Sequence, residues 1–132
     1  MKTNLDKLFK TNEKFVKDGV EFAIDDKTYF TIRHFNEENP RIKAAIATHH
    51  KPYARQIDMG TLSLEKTAEI QVKIFVDACL VNWAGVEDEN GTEIPFTREN
   101  ALVLFRRLPA LFNALWAHAN DYQNYREDVG NS

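Results

Sequence analysis

The sequence predicts a mainly helical α+β protein, a helical bundle with a small N-terminal β-hairpin. Three observations carry that prediction. Apolar residues recur at helical spacing through most of the chain after residue 40, and alternate with polar ones only between Val20 and Ile32. Helix start signals recur: Pro40 after Asn39, Ser63 before Leu64, Thr97 before Arg98 and Pro109 after Leu108. Finally, 132 residues at 43% hydrophobic and 28% charged suit one domain with one core, with no composition shift to mark a second.

At the N-terminus, Leu5, Leu8 and Phe9 fall on one face of a short amphipathic helix over residues 4 to 12. Two alternating runs follow, Val20-Phe22-Ile24 and Phe30-Ile32, separated by Asp25-Asp26-Lys27. They predict a hairpin at about 20–34. Two strands alone are marginally stable. The hairpin must lie on the helices or pair with another strand, and its edges are where a strand from another subunit is expected.

The helical body is expected over about 40–126. Pro40 opens a segment anchored by Ile42, Ala45, Ile46 and Tyr53, which Pro52 should break after His50 or Lys51. Ser63 caps a long helix expected to run from Leu64 to Trp83. One of its stripes is Ala68, Val72, Phe75, Cys79 and Trp83, and a second is Ile70, Ile74, Ala78 and Val81. A helix apolar around most of its circumference is buried on several sides or lies partly in an interface.

Gly85 is positioned to end that helix in a left-handed conformation, and Asn90-Gly91 forms a tight turn. Val86, Ile94 and Phe96 tuck the loop back onto the core. Thr97 caps the last helical region, which Pro109 divides in two. In the second part Leu111, Phe112, Leu115, Trp116, Ala119 and Tyr122 form a continuous stripe. The polar tail, 127–132, is expected to be mobile.

Composition narrows the function. A formal charge of -3 supplies no basic excess for phosphates, so nucleic-acid binding is not expected. The single cysteine, Cys79, excludes an internal disulfide and suits a reducing compartment, and its apolar setting reads as core. The N-terminus lacks a signal-peptide core, and the longest apolar run, Ala78 to Val81, is too short to span a bilayer. A cytoplasmic protein without membrane association is expected.

Chemical motifs fail on inspection. His49-His50 are adjacent on a helix, so they diverge, and no third ligand stands at a useful spacing; an exposed polar pair is the expectation. In the acidic loop Glu87 to Gly91, alignment on Gly91 puts Val86 and Thr97 at calcium-ligand positions, and neither is a carboxylate. There is no Gly-rich phosphate loop, zinc-spaced Cys pair or nucleophile elbow. No carboxylate stands in an apolar setting that would raise its pKa. The residues therefore predict no catalytic centre, cofactor or metal, and reach an interaction domain.

The segment from Leu80 to Leu111 extends that reading. Its Trp83, Gly85-Val86-Glu87-Asp88, Asn90-Gly91, Ile94-Pro95-Phe96-Thr97 and Glu99-Asn100-Ala101-Leu102 resemble the tail assembly chaperones of long, non-contractile-tailed bacteriophages. The upstream Ile32-Arg33 of the hairpin fits the same order. The likeness covers residues 20 to 125 and is distinctive from Trp83 to Leu102.

This resemblance implies a non-enzymatic protein that self-associates, binds the tape-measure protein and keeps it soluble while the tail tube protein polymerises around it. It further implies a longer, frameshifted form of the chain as partner. The expected place of action is the cytoplasm of the bacterial host, with the protein absent from the mature virion. Such a client requires apolar grooves for amphipathic helices. Val76, Leu80, Phe112 and Trp116 are the candidate partner-binding residues, each of which the core also claims. The alternatives are another phage morphogenesis or head-tail completion protein, or a small helical enzyme or metal protein using His34, His49, His50 or His118.

Overall fold

The computed structural model describes residues 2–126, and the tail expected to be mobile, 127–132, lies outside the described residues. The element order is α1 (Leu5–Phe9), α2 (Glu13–Asp18), β1 (Val20–Ala23), β2 (Tyr29–Ile32), α3 (Pro40–His50), α4 (Ala54–Met59), α5 (Leu64–Ala78), β3 (Leu80–Ala84), α6 (Arg98–Arg107) and α7 (Pro109–Asn120). Short 3₁₀ turns at Lys51–Tyr53 and Tyr122–Tyr125 join α3 to α4 and follow α7. The class is the mainly helical α+β fold expected.

Local chemistry explains most boundaries. Asn4, Asn12, Asn39, Ser63 and Thr97 each accept a backbone N–H at the start of the helix that follows. Pro40 and Pro109 occupy first helical positions, and Pro52 ends α3 after His50 as expected. The helix expected over residues 4 to 12 is shorter and is followed by α2. Asn12 caps α2 with its side chain and so interrupts α1.

The helix expected to continue to Trp83 stops at Ala78. Leu80–Ala84 is a strand, and Trp83 does not close a helix. The sheet is antiparallel with order β1-β2-β3. β2 pairs with β3 from Tyr29↔Ala84 to Thr31↔Asn82, and then Ile32 pairs with Leu80. Val81 is the extra residue of a bulge. That bulge resets the alternation, so Leu80 and Trp83, three apart, both point inward. Inward residues three apart look like one face of a helix, which is why the strand reads as helical.

The third strand also corrects the expectation about the hairpin. One edge is filled by β3 of the same chain, not by another subunit, leaving β1 as an outer strand. The core lies between this sheet and α3, α5, α6 and α7. It includes Phe30, Ile32, Ile42, Phe75, Cys79, Trp83, Phe105 and Leu115.

Gly85 has the expected left-handed conformation, φ +73°, but it ends a strand. Its missing side chain matters: a Cβ there would stand 2.2 Å from the Lys27 carbonyl oxygen. The Gly85 carbonyl accepts from Thr28 Oγ1 at 2.9 Å, so this bend rests directly on the β1–β2 turn. Beyond it, Asp88 accepts the N–H groups of Asn90 and Thr92 on one carboxylate oxygen, and Gly91 closes the turn at φ +80°. Val86 is buried, and Ile94 and Phe96 pack against the core, as the sequence predicts.

Candidate partner-binding surface

An apolar groove opens between α5 and the α6–α7 junction. It holds about 500 Å³. Ala68 and Val72 line one wall from α5, Leu102 lines the other from α6, and Pro109 stands at the start of α7. Phe105 and Phe112, only 2% and 6% exposed, lie at its floor. Glu65, Glu69 and Lys73, one turn apart along α5, border it on one side, and Arg106 and Asn113 border it on the other.

Aromatic contacts join α5 to the later helices beside the groove. Phe75 holds α5 against both later helices, edge to face with Phe105 at 5.9 Å and with Phe112 at 5.5 Å. N-terminal to Phe75, α5 presents Val72 and Ala68, which are too small to fill the space opposite Leu102 and Pro109.

Of the four residues singled out from the sequence, Val76 and Leu80 are core and take no part in the groove. Phe112 forms part of its floor. Trp116 is half-buried a turn further on, against Phe35 at 4.7 Å and Phe75 at 6.3 Å. Both candidate helices therefore meet at the groove, but its accessible walls are Ala68, Val72 and Leu102. The sequence placed Ala68 and Val72 in an apolar stripe of α5 but did not mark them as the accessible part of it.

Two polar clusters were not legible. His49 is not an exposed polar side chain: its Nε2 lies 2.6 Å from Asp77 Oδ2, and its side chain is 16% exposed. Asp77 also accepts from Arg98, Nε at 2.6 Å and Nη2 at 3.2 Å. Burial pushes the Asp77 pKa upward, but the hydrogen bonds from Arg98 and then His49 outweigh it and hold the carboxyl below its ordinary value. One carboxylate thus ties α3, α5 and the first turn of α6 together.

The second cluster surrounds Tyr125. Its ring stacks on His34 at 4.8 Å and lies edge-on to His118 at 5.8 Å, and its hydroxyl donates to the Ile32 carbonyl at 3.0 Å. His34 Nδ1 and His118 Nε2 are buried with no hydrogen-bonding partner among the described residues. Burial lowers both histidine pKa values, and Asp121 opposes that only partly. The Asn12 N–H donates to the Tyr125 carbonyl at 2.7 Å, so this cluster also joins the two ends of the described chain.

Cys79 is fully buried, and burial pushes its thiol up to about 12. Among the described residues, no three His, Cys, Asp or Glu side chains gather as a metal-ligand group, and no helix is long and apolar enough to cross a membrane.

Residues 37–131 match the family described as YdaY prophage protein. The matched span contains α3 to α7 and β3, and hence every residue that lines the groove. No curated protein and no solved structure matches the chain.

Proposed function

We propose that this chain, which belongs to the YdaY prophage protein family, is a non-enzymatic tail assembly chaperone that holds helical segments of the tape-measure protein in the α5/α6–α7 groove. Its phage origin follows from the family; the particular step in assembly is our reading.

The groove is the observation that carries the reading. Its apolar floor is bordered by charges of both signs and is open at the surface. An amphipathic helix has the matching pattern, an apolar face flanked by polar residues, and lies in such a groove with anchors at i, i+3 and i+4. The likeness of the Leu80 to Leu111 segment to tail assembly chaperones agrees with that client. A long helical client offers many such segments, so weak individual contacts suffice when several copies bind along it. In this reading the protein also associates with itself, with a longer form of the same chain and with the tail tube protein. It acts in the host cytoplasm and leaves before the virion is complete.

Co-expression tests it. The tape-measure protein of the same phage should gain soluble yield when this chain is present and lose that gain with Val72→Asp, because burying an unpaired charge beneath an apolar helix is unfavourable. A far-ultraviolet circular dichroism spectrum like the parent's shows that the variant still folds. A client equally insoluble with and without the chain would refute the proposal.

A further inference from the structure

The N-terminal helix α1 carries an apolar face with nothing to bury it. Leu5 and Phe9 are each 62% exposed and Leu8 is 37% exposed, spaced i, i+3, i+4 on five residues, and no residue of the helix is buried. In its own copy α1 touches the molecule through Phe9, stacked on Tyr122 at 5.9 Å. Tyr122 does not line the groove, and the Asn12–Tyr125 hydrogen bond holds the base of α1 at that cluster. The groove between α5 and the α6–α7 junction is the complementary case, a concave apolar surface with no helix in it.

The charges match as well. Residues 2 to 10 contain Lys2, Lys7 and Lys10 against the single acid Asp6, and none of the three lysines makes an ion pair among the described residues. The α5 border of the groove begins with Glu65 and Glu69. Glu65 makes no ion pair among the described residues, Glu69 pairs with Lys66 at the exposed surface, and Lys73 and Arg106 stand further along the border. The lysines of the arm are complementary to the Glu65 end of the groove, the end opposite Lys73.

We infer that α1 of one copy docks in the α5/α6–α7 groove of a second copy, reciprocally, so that two copies exchange N-terminal arms. A dimer built this way has two equivalent contacts and is self-limiting. The inference rests on the groove being a helix-binding site, and it names a second occupant for that site. An arm in the groove and a client helix in the groove exclude one another, so client binding releases the arm. The groove is thereby covered in both states.

The test uses the full chain. Sedimentation velocity at micromolar concentrations should show a species above the 15.3 kDa monomer. Leu5→Asp on the arm and Ala68→Arg on the groove wall both alter exposed positions, so melting temperatures near the parent's are expected. Each variant alone should weaken self-association by about tenfold or more, because each sets an unmatched charge against an apolar partner. Mixing the two should restore a heterodimer. The intact arm of one then meets the intact groove of the other, and the second contact opposes the introduced carboxylate to the introduced guanidinium.

A parent that is monomeric overturns the inference, as does a Leu5→Asp chain that associates like the parent or a mixture that stays monomeric. Binding of the parent to anionic phospholipid vesicles, lost in Leu5→Asp while self-association is kept, overturns it in favour of a membrane surface for the arm. None of these outcomes decides the client reading, which is scored by the solubility of the tape-measure protein and not by the mass of this chain.

Discussion

Trp83 donates its indole N–H to the carbonyl oxygen of Ile94 at 2.9 Å. This bond closes the loop that follows β3, from Gly85 to Glu93, ahead of α6. It binds a strand residue to the returning arm of the loop, while the ring itself is 5% exposed and packs edge-on against Phe30 and Phe96. The tryptophan therefore both fills the core under the sheet and pins the segment that delivers Thr97 to the start of α6.

Replacing Trp83 with alanine should cost about 3–5 kcal/mol, the range for removing a buried large aromatic. Trp83→Phe keeps most of the packing but leaves the Ile94 carbonyl without its donor, at a cost of about 1 kcal/mol plus the smaller volume. Urea denaturation of both variants measures the difference. A Trp83→Ala protein as stable as the parent would remove the ring from the core.

Gly85→Ala should destabilise despite being the smallest possible change. The left-handed backbone alone costs an alanine about 1–2 kcal/mol. The added Cβ also meets the Lys27 carbonyl oxygen and must push the β1–β2 turn away. A loss larger than the backbone term, read from thermal melts, is the expected result. By contrast Gly60→Ala, also left-handed but with open space around it, should cost only the backbone term.

Stability should fall as the solution is acidified below about pH 6.5, the ordinary histidine value. Burial lowers the pKa of His34 and His118 in the folded protein, so the unfolded chain binds protons first and stability rises with pH across that window. Asp77 acts in a separate, lower window. Its folded pKa is depressed, so its contribution is present above the ordinary carboxylate value of about 3.9 and is lost as pH falls through the folded value. Denaturation midpoints between about pH 2 and 8 for the parent and for His34→Phe with His118→Phe separate the two. A parent profile flat from pH 8 to 5 would contradict the histidine assignment.

Cys79 should be inert to thiol reagents in the native protein at pH 8. A thiol raised to about 12 and fully buried has almost no thiolate and no access. Labelling should become fast only in denaturant. Rapid modification of the native chain would show that the α5–β3 junction opens on its own.

What the sequence alone determined is what neighbours in the chain decide. A cap needs one side chain and the next three backbone N–H groups, so Asn39, Ser63 and Thr97 announced their helices, and Pro52 and Pro109 announced the breaks. The hairpin showed in its alternation, and the core status of Cys79 in its apolar surroundings. The tertiary structure decided whatever depends on partners remote in the chain. Residues 80 to 84 are a strand because β2 offers a free edge, and the Val81 bulge hides the alternation that would have marked it. Asp77 became a junction because folding brought His49 and Arg98 to it, 28 and 21 residues away. The groove follows the same rule: Ala68 and Val72 are an unremarkable pair until Phe75, one turn on, meets Phe105 of α6 and Phe112 of α7.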